Sequence, residues 1–341
     1  MFKFTVSGRL FFSGLISLGL WSCGGNVTTE NQGREEVAEQ QEMASLSVVV
    51  TTDVLCDLTK QIALDTVNIN CLVDAGVDPH VYQVTPDDRR AIQEADLILY
   101  GGYGFEPSLI QLVSARGEGA TAVAVYEQAV TTPLMMSDDH GHSHDDGHSH
   151  DDEHSHDDEE KGEFPDPHVW HDAENGMEMV RVISAELAKL LPDQQQLYQS
   201  QQDMIIAELT ELHQWIKTEI EKIPPERRIL VTNHDALGYY LNAYSLKSNT
   251  ALAGVSTEES PNSRRVGELV KEIQRLNIPT IFVESSVNPT LMETVAREAG
   301  VKLASNPLYV DGLGASATGA ETYQQVLRKN TETIVNNLID N

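Results

Sequence analysis

The sequence predicts an α/β protein of two lobes, each a parallel-rich sheet flanked by helices, joined by one long helix. Three observations support this. Short apolar runs such as SLSVVVTT, ADLILYGG and RRILVTN alternate with helical patterns, which is the punctuation of βαβ units. A helical pattern from Pro192 towards Ile223 separates two such alternating sets. The length of 341 residues is enough for two lobes.

The elements follow in order from Leu46. SLSVVVTT reads as a buried strand, Val54 to Ala63 as a helix and TVNINCLV as a second strand. Thr85-Pro86-Asp87-Asp88 is a helix start, with Thr as the cap and Pro in the first turn, leading into RRAIQEA. ADLILYGG, a helix near Glu106 to Ser114, and ATAVAVYE complete the first set. Ala173 to Leu191 is amphipathic. In the long helix, Ile205, Leu209, Leu212, Trp215 and Ile216 recur at helical spacing, as a packed face requires. The second set contains RRILVTN, a helix from Ala236 to Leu241, one from Pro261 to Leu276, TIFVES, a helix from Pro289 to Ala299, VKLAS, and a last helix from Glu321 to Leu338. The expected organisation is thus 1–22 a signal, 23–45 a tether, 46–191 the first lobe, 192–223 the linking helix and 224–341 the second lobe. A stiff helical link implies small lobe movements.

At the start, Lys3 and Arg9 precede an apolar run from Leu10 to Leu20 that is too short to span a bilayer. It reads as an export signal. Leu20-Trp21-Ser22-Cys23-Gly24 resembles a bacterial lipobox, with Cys23 as the lipidated residue, and the polar stretch to Ala44 reads as a flexible tether. The net charge of −30, from 53 acidic and 23 basic residues, excludes nucleic acid as a natural partner and concentrates cations. Besides Cys23 there are only Cys56 and Cys71. In an oxidising compartment they can form a disulfide, and a pair cannot build a structural zinc site alone.

Between Ser137 and Phe164 the chain has no apolar residue, and HSHDD recurs at His142, His148 and His154. A segment so polar cannot offset its ordering entropy. Residues 138–163 are therefore expected to be a disordered loop. Its His140, His142, His144, His148, His150, His154 and His156, interleaved with carboxylates, are weak, exchangeable auxiliary ligands for a borderline metal.

A parallel sheet presents ligands beyond the carboxyl ends of its strands, so two facing lobes would hold a site between them. Four such ends carry metal-ligating groups: His80 in Asp78-Pro79-His80, His168 in Asp166-Pro167-His168, His234 after RRILVTN, and Asp311 after VKLAS. Three imidazoles and one carboxylate are a full tetrahedral set for zinc. Treating DPHVWHD as a strand, alternation points His168 and Trp170 together and His171 away, which removes His171 from the ligand set. His213 stands alone on the long helix as a solvated or packed residue. Asp78, Asp172, Asn175 and Glu284 are candidates to orient the ligating rings.

DPHVYQVTPDD, DPHVWHDAENG, VTNHDALGYYL, GVSTEESPNSRRVGELV and NPLYVDGLG together resemble the motifs of the metal-specific solute-binding proteins of ABC importers, the cluster A-I or ZnuA/TroA-like family. The resemblance runs from about Leu46 to the C-terminus. It implies His80, His168, His234 and Asp311 as ligands, and partnership with a membrane permease and its ATPase. A His-rich insertion between the first two ligands, and His234 where the manganese branch usually has a carboxylate, imply Zn²⁺. Position 171 is more often apolar in the family, so His171 is either a surface group or an auxiliary contact. The function implied is capture of Zn²⁺ outside the cytoplasm by a lipid-anchored monomer, in the periplasm or at the outer face of the cytoplasmic membrane. The alternatives are a manganese receptor of the same family and a surface adhesin or metal buffer. A zinc hydrolase would need an open coordination position, and no HExxH signature is present.

Overall fold

The structure is a computed structural model that describes residues 46–339 apart from 118, 120, 138–161, 255, 259 and 260. The expected signal, tether, lipidation residue Cys23 and the seven loop histidines lie outside the described residues.

The first sheet is parallel, in the order β2-β1-β3-β4, from Asn68–Cys71 (β2), Ser47–Val50 (β1), Leu97–Tyr100 (β3) and Thr121–Ala124 (β4). Its central strand β1 is apolar on both faces. Val48 and Val50 pack into one cluster with helix Asp53–Ala63 (α1), while Val49 packs into another with Ile92 and Leu109. Burial on both sides is why the strand is a continuous valine run and not an alternating one. Helix Pro86–Glu94 (α2) starts as expected: Thr85 and Asp88 form a reciprocal capping box with Pro at the first turn. Helices Pro107–Ala115 (α3) and Val125–Ala129 (α4) complete this set.

Met135–Ser137 (β5) and Glu163–Pro165 (β6) pair antiparallel, with Ser137 opposite Glu163. Glu163, assigned from the sequence to the loop, therefore belongs to a ladder. A three-residue 3₁₀ turn, Val169–His171, follows. This corrects the strand expected for DPHVWHD. Asp172 then caps helix Ala173–Leu190 (α5) by accepting from Glu174 N, which sets the chain on a helical path.

Helix Gln195–Glu221 (α6) follows a 3₁₀ turn at Pro192–Gln194. At 1.5 Å per residue it is about 40 Å long. It buries Tyr198, Ile205, Leu209, Leu212, Ile216 and Ile220 in a cluster that also takes in Val48, Trp170, Leu230 and Tyr323. One continuous core thus runs through both lobes.

The second lobe has two parallel strand pairs. Ile229–Thr232 (β7) pairs with Lys247–Ala251 (β8), and Thr280–Ile281 (β9) with Lys302–Leu303 (β10). Phe282 N donates to Val231 O at 2.9 Å and links the pairs. The polar KSNTA of β8 gave no strand signal in the sequence. Helices Gly238–Ala243 (α7), Ser263–Leu276 (α8), Thr290–Ala299 (α9) and Tyr323–Leu338 (α10) complete the lobe. Cys56 of α1 and Cys71 of β2 are joined as a disulfide with Cα atoms 5.8 Å apart, within the ordinary range. Among the described residues no helix is long and apolar enough to cross a membrane.

Candidate metal centre

The two Asp-Pro-His tripeptides build the same local turn. Asp78 Oδ1 accepts His80 N at 2.9 Å, and Asp166 Oδ1 accepts His168 N at 3.0 Å. Proline between them fixes φ and offers no competing N–H. The turns then diverge. Asp166 Oδ1 also takes His168 Nδ1 at 2.8 Å, whereas Asp78 Oδ2 accepts from Thr257 Oγ1 of the second lobe at 2.6 Å.

His234 is two residues past β7. Glu284 Oε1 accepts the backbone N–H groups of Asn233 and His234 at 2.9 and 3.0 Å, and Oε2 accepts His234 Nδ1 at 2.6 Å. Asp311 follows the bridge that pairs Leu308 with Glu284, and its Oδ2 accepts from Ser286 Oγ. Because carboxylates accept at Nδ1 of His168 and His234, both rings turn Nε2 towards Asp311.

The four groups meet. His80 Nε2 lies 3.2 Å from His168 Nε2. Asp311 Oδ1 is 3.6 Å from His80 Nε2, 3.7 Å from His168 Nε2 and 3.1 Å from His234 Nε2. Zinc bonds of about 2.0–2.1 Å at tetrahedral angles separate donors by about 3.3–3.4 Å. All four side chains are at most 4% exposed. His234 Nε2 and Asp311 Oδ1 are buried without a hydrogen-bond partner, a cost that a coordinated cation would remove. Phe105 stands edge-on to His80 at 4.9 Å and to His168 at 5.5 Å, closing the site with an apolar wall.

Electrostatics prepare the group for a cation. Burial opposes charge on His234, but Glu284 and Asp311 outweigh it and hold its pKa well above 6.5. His168 is also raised, burial being outweighed by Asp166 and Asp311. Burial lowers His80. Burial works against the Asp311 carboxylate too, yet the facing imidazoles, His234 foremost, bring its pKa well below 3.8.

His171 is neither a surface group nor turned away. The 3₁₀ period of three brings it round towards the side of His168. There it is fully buried, with Nε2 2.8 Å from Val310 O. Burial pushes its pKa down to about 4, so the ring is neutral and Nε2 donates. His213 is packed, 3% exposed, with Nδ1 3.3 Å from Tyr244 Oη. It lies close to Asp172 and Glu174. Asp172 of that trio caps the N-terminus of α5, where the helix dipole attracts carboxylates and disfavours a cation. Asn175 Nδ2 donates to Val169 O at 3.0 Å and so steadies the 3₁₀ turn, not a ring. Sequence reasoning missed Asp166, Ser286 and Phe105. Asp166 had a signal, the second Asp-Pro-His turn, whereas the other two act only through the folded contact.

A two-lobed α/β chain enclosing three imidazoles and one carboxylate has the build of an extracytoplasmic receptor for a divalent metal. The chain belongs to the ZnuA family, zinc-uptake complex component A, periplasmic, which it matches over residues 48–337. It is 31% identical over 292 residues to the zinc-binding protein TroA of Treponema pallidum, covering 84% of this chain and 87% of that one. It is 28% identical over 306 residues to the manganese-binding lipoprotein MntA of Halalkalibacterium halodurans, covering 90% and 93%. The solved structure of the periplasmic zinc-binding protein TroA superimposes with a TM-score of 0.76 at 29% identity, over 87% of this chain and all of the other. The protein is therefore an extracytoplasmic metal-binding component of an ABC importer and not an enzyme.

Proposed function

We propose that the protein captures Zn²⁺ between its lobes, through Nε2 of His80, His168 and His234 and Oδ1 of Asp311, and delivers it to a membrane permease driven by an ATPase. The donor set carries this reading. Imidazole suits zinc, whereas manganese does better with oxygen donors and more of them. Ser286 Oγ occupies Asp311 Oδ2, which favours a one-oxygen contact and four-coordination. Copper would bind more tightly on affinity alone, so availability contributes to selection.

Cys23 carries the lipid and 23–45 is the tether. Residues 46–191 and 224–341 are the lobes on either side of the linking helix 192–223, and their movements are small. The loop histidines raise the local zinc concentration or sense excess metal. Manganese is the second reading, supported by the relative named for that metal at 28% identity, against one named for zinc at 31%.

The test is a competitive titration of Zn²⁺ and Mn²⁺ on a variant in which 138–161 is replaced by a short Gly-rich turn. Ser137 and Glu163 are already paired, so such a turn can close the ladder. One tight zinc-preferring site, lost on His234→Ala, is expected. Tighter manganese binding would select the second reading, and loss of all tight binding with the loop would turn the protein into a metal buffer.

A further inference from the structure

Asp311 sits on a short stretch whose main chain is gripped on both sides by the opposite lobe. Before it, Val310 O accepts from His171 Nε2 at 2.8 Å. After it, Leu313 N donates to Asp53 Oδ2 at 2.7 Å. Gly312, between them, lies so close to Asp53 that a Cβ there would be 2.5 Å from both carboxylate oxygens. Asp53 and His171 are 5% and 0% exposed, and these hydrogen bonds run to the main chain on either side of Asp311, not to its carboxylate. Asp53 opens α1, with two residues between it and the end of β1, and His171 ends the 3₁₀ turn that begins directly after His168. The first lobe thus supplies two brackets for a ligand borne by the second.

We propose that Asp53 and His171 are positioning residues that set metal selectivity by clamping the main chain at Val310 and Leu313, so that Asp311 offers one oxygen only. Resting on the zinc reading of the cluster, this adds what enforces it. With both flanking peptides held and Oδ2 taken by Ser286, the carboxylate cannot roll to present two oxygens. A cation that accepts four donors is satisfied, and one that needs more oxygen is not. The clamp also explains a histidine at position 171. An apolar side chain there would fill the volume but leave the buried Val310 carbonyl without its donor.

The experiment compares the full-length protein with His171→Leu, His171→Gln, Asp53→Ala, Asp53→Asn and His234→Ala. A chelator keeps free metal below the range of weak sites. Affinities for Zn²⁺ and Mn²⁺ are measured, together with the visible spectrum of bound Co²⁺, whose band intensity distinguishes four-coordinate from higher-coordinate ions. His171→Leu and Asp53→Ala should each weaken zinc about tenfold, the lower end expected for outer-sphere partners. Manganese should hold or tighten, and the cobalt bands should fade. His171→Gln retains a donor and Asp53→Asn an acceptor, so both should keep the parent ratio within about twofold. If one residue's truncation does not fold, the other decides. Parallel weakening of both metals, or a parent-like ratio in the Leu and Ala variants, overturns the inference. Tight zinc surviving in His234→Ala would overturn the cluster itself. Loss there, with His171→Leu unchanged, would overturn the clamp alone.

Discussion

Glu284 Oε2 accepts His234 Nδ1 at 2.6 Å while Glu284 Oε1 holds the main-chain N–H groups of Asn233 and His234. One carboxylate therefore fixes both the main chain at His234 and the orientation of its ring. Glu284→Gln preserves an acceptor for the two N–H groups but removes the charge behind the imidazole. Metal affinity should fall about 10–100-fold, with the fold retained. A chelator competition alongside a thermal melt of the metal-free protein checks this. An affinity within about twofold of the parent would show that Glu284 is only a structural prop.

The pKa directions give a sign for the effect of pH. His234 is raised above 6.5 by Glu284 and Asp311 against the effect of burial. A raised histidine contributes stability that is complete below its unfolded value and lost as pH rises through the folded one. The metal-free protein should therefore lose this contribution in the alkaline direction. Zinc replaces the proton as the counter-charge. The rise in Tm on adding zinc should grow from pH 6 to pH 8, and binding near pH 7 should release protons. Calorimetry in two buffers of different ionisation enthalpy measures the release. An equal heat in both buffers would contradict the prediction.

The three imidazoles that meet at the candidate site were legible in the sequence because each is advertised locally. Asp78-Pro79-His80 and Asp166-Pro167-His168 show their turn chemistry in three residues, and His234 follows an apolar strand directly. The partners were less legible because they are remote in sequence. Glu284 is 50 residues from His234, and Ser286 is 25 from Asp311. The identical tripeptides also hid a difference: Asp166 reaches its own ring, and Asp78 reaches Thr257. Strand periodicity failed at Val169–His171 because three residues between a turn and a helix cap are too few to establish a period. It failed at β8 because KSNTA owes its pairing to β7 and not to its own apolarity.

The disulfide links Cys56 to Cys71, 15 residues apart. Loop-closure entropy puts its contribution at about 3 kcal/mol. Cys56→Ser with Cys71→Ser should lower stability by about that amount and make denaturation insensitive to reductant. Zinc affinity should change little, because His80 is placed by the Asp78 turn and not by the end of β2. Denaturant unfolding with and without reductant, followed by a metal titration, checks both parts.

Gly238 provides the most local test of how α7 of the second lobe supports His168 of the first. A Cβ at Gly238 would lie 2.7 Å from Asp166 Oδ2, and next to it Tyr239 Oη donates to Asp166 O at 3.2 Å. Asp166 in turn holds both the main chain and the ring of His168. Gly238→Ala must therefore push the Asp166 carboxylate, and zinc affinity should fall about tenfold. The effect should pass through Asp166 alone. In an Asp166→Ala background, already weakened, adding Gly238→Ala should cost nothing further, a strongly non-additive cycle as expected for residues in contact. Additive losses would mean that the methyl group disturbs the site by another route, through α7 and His234.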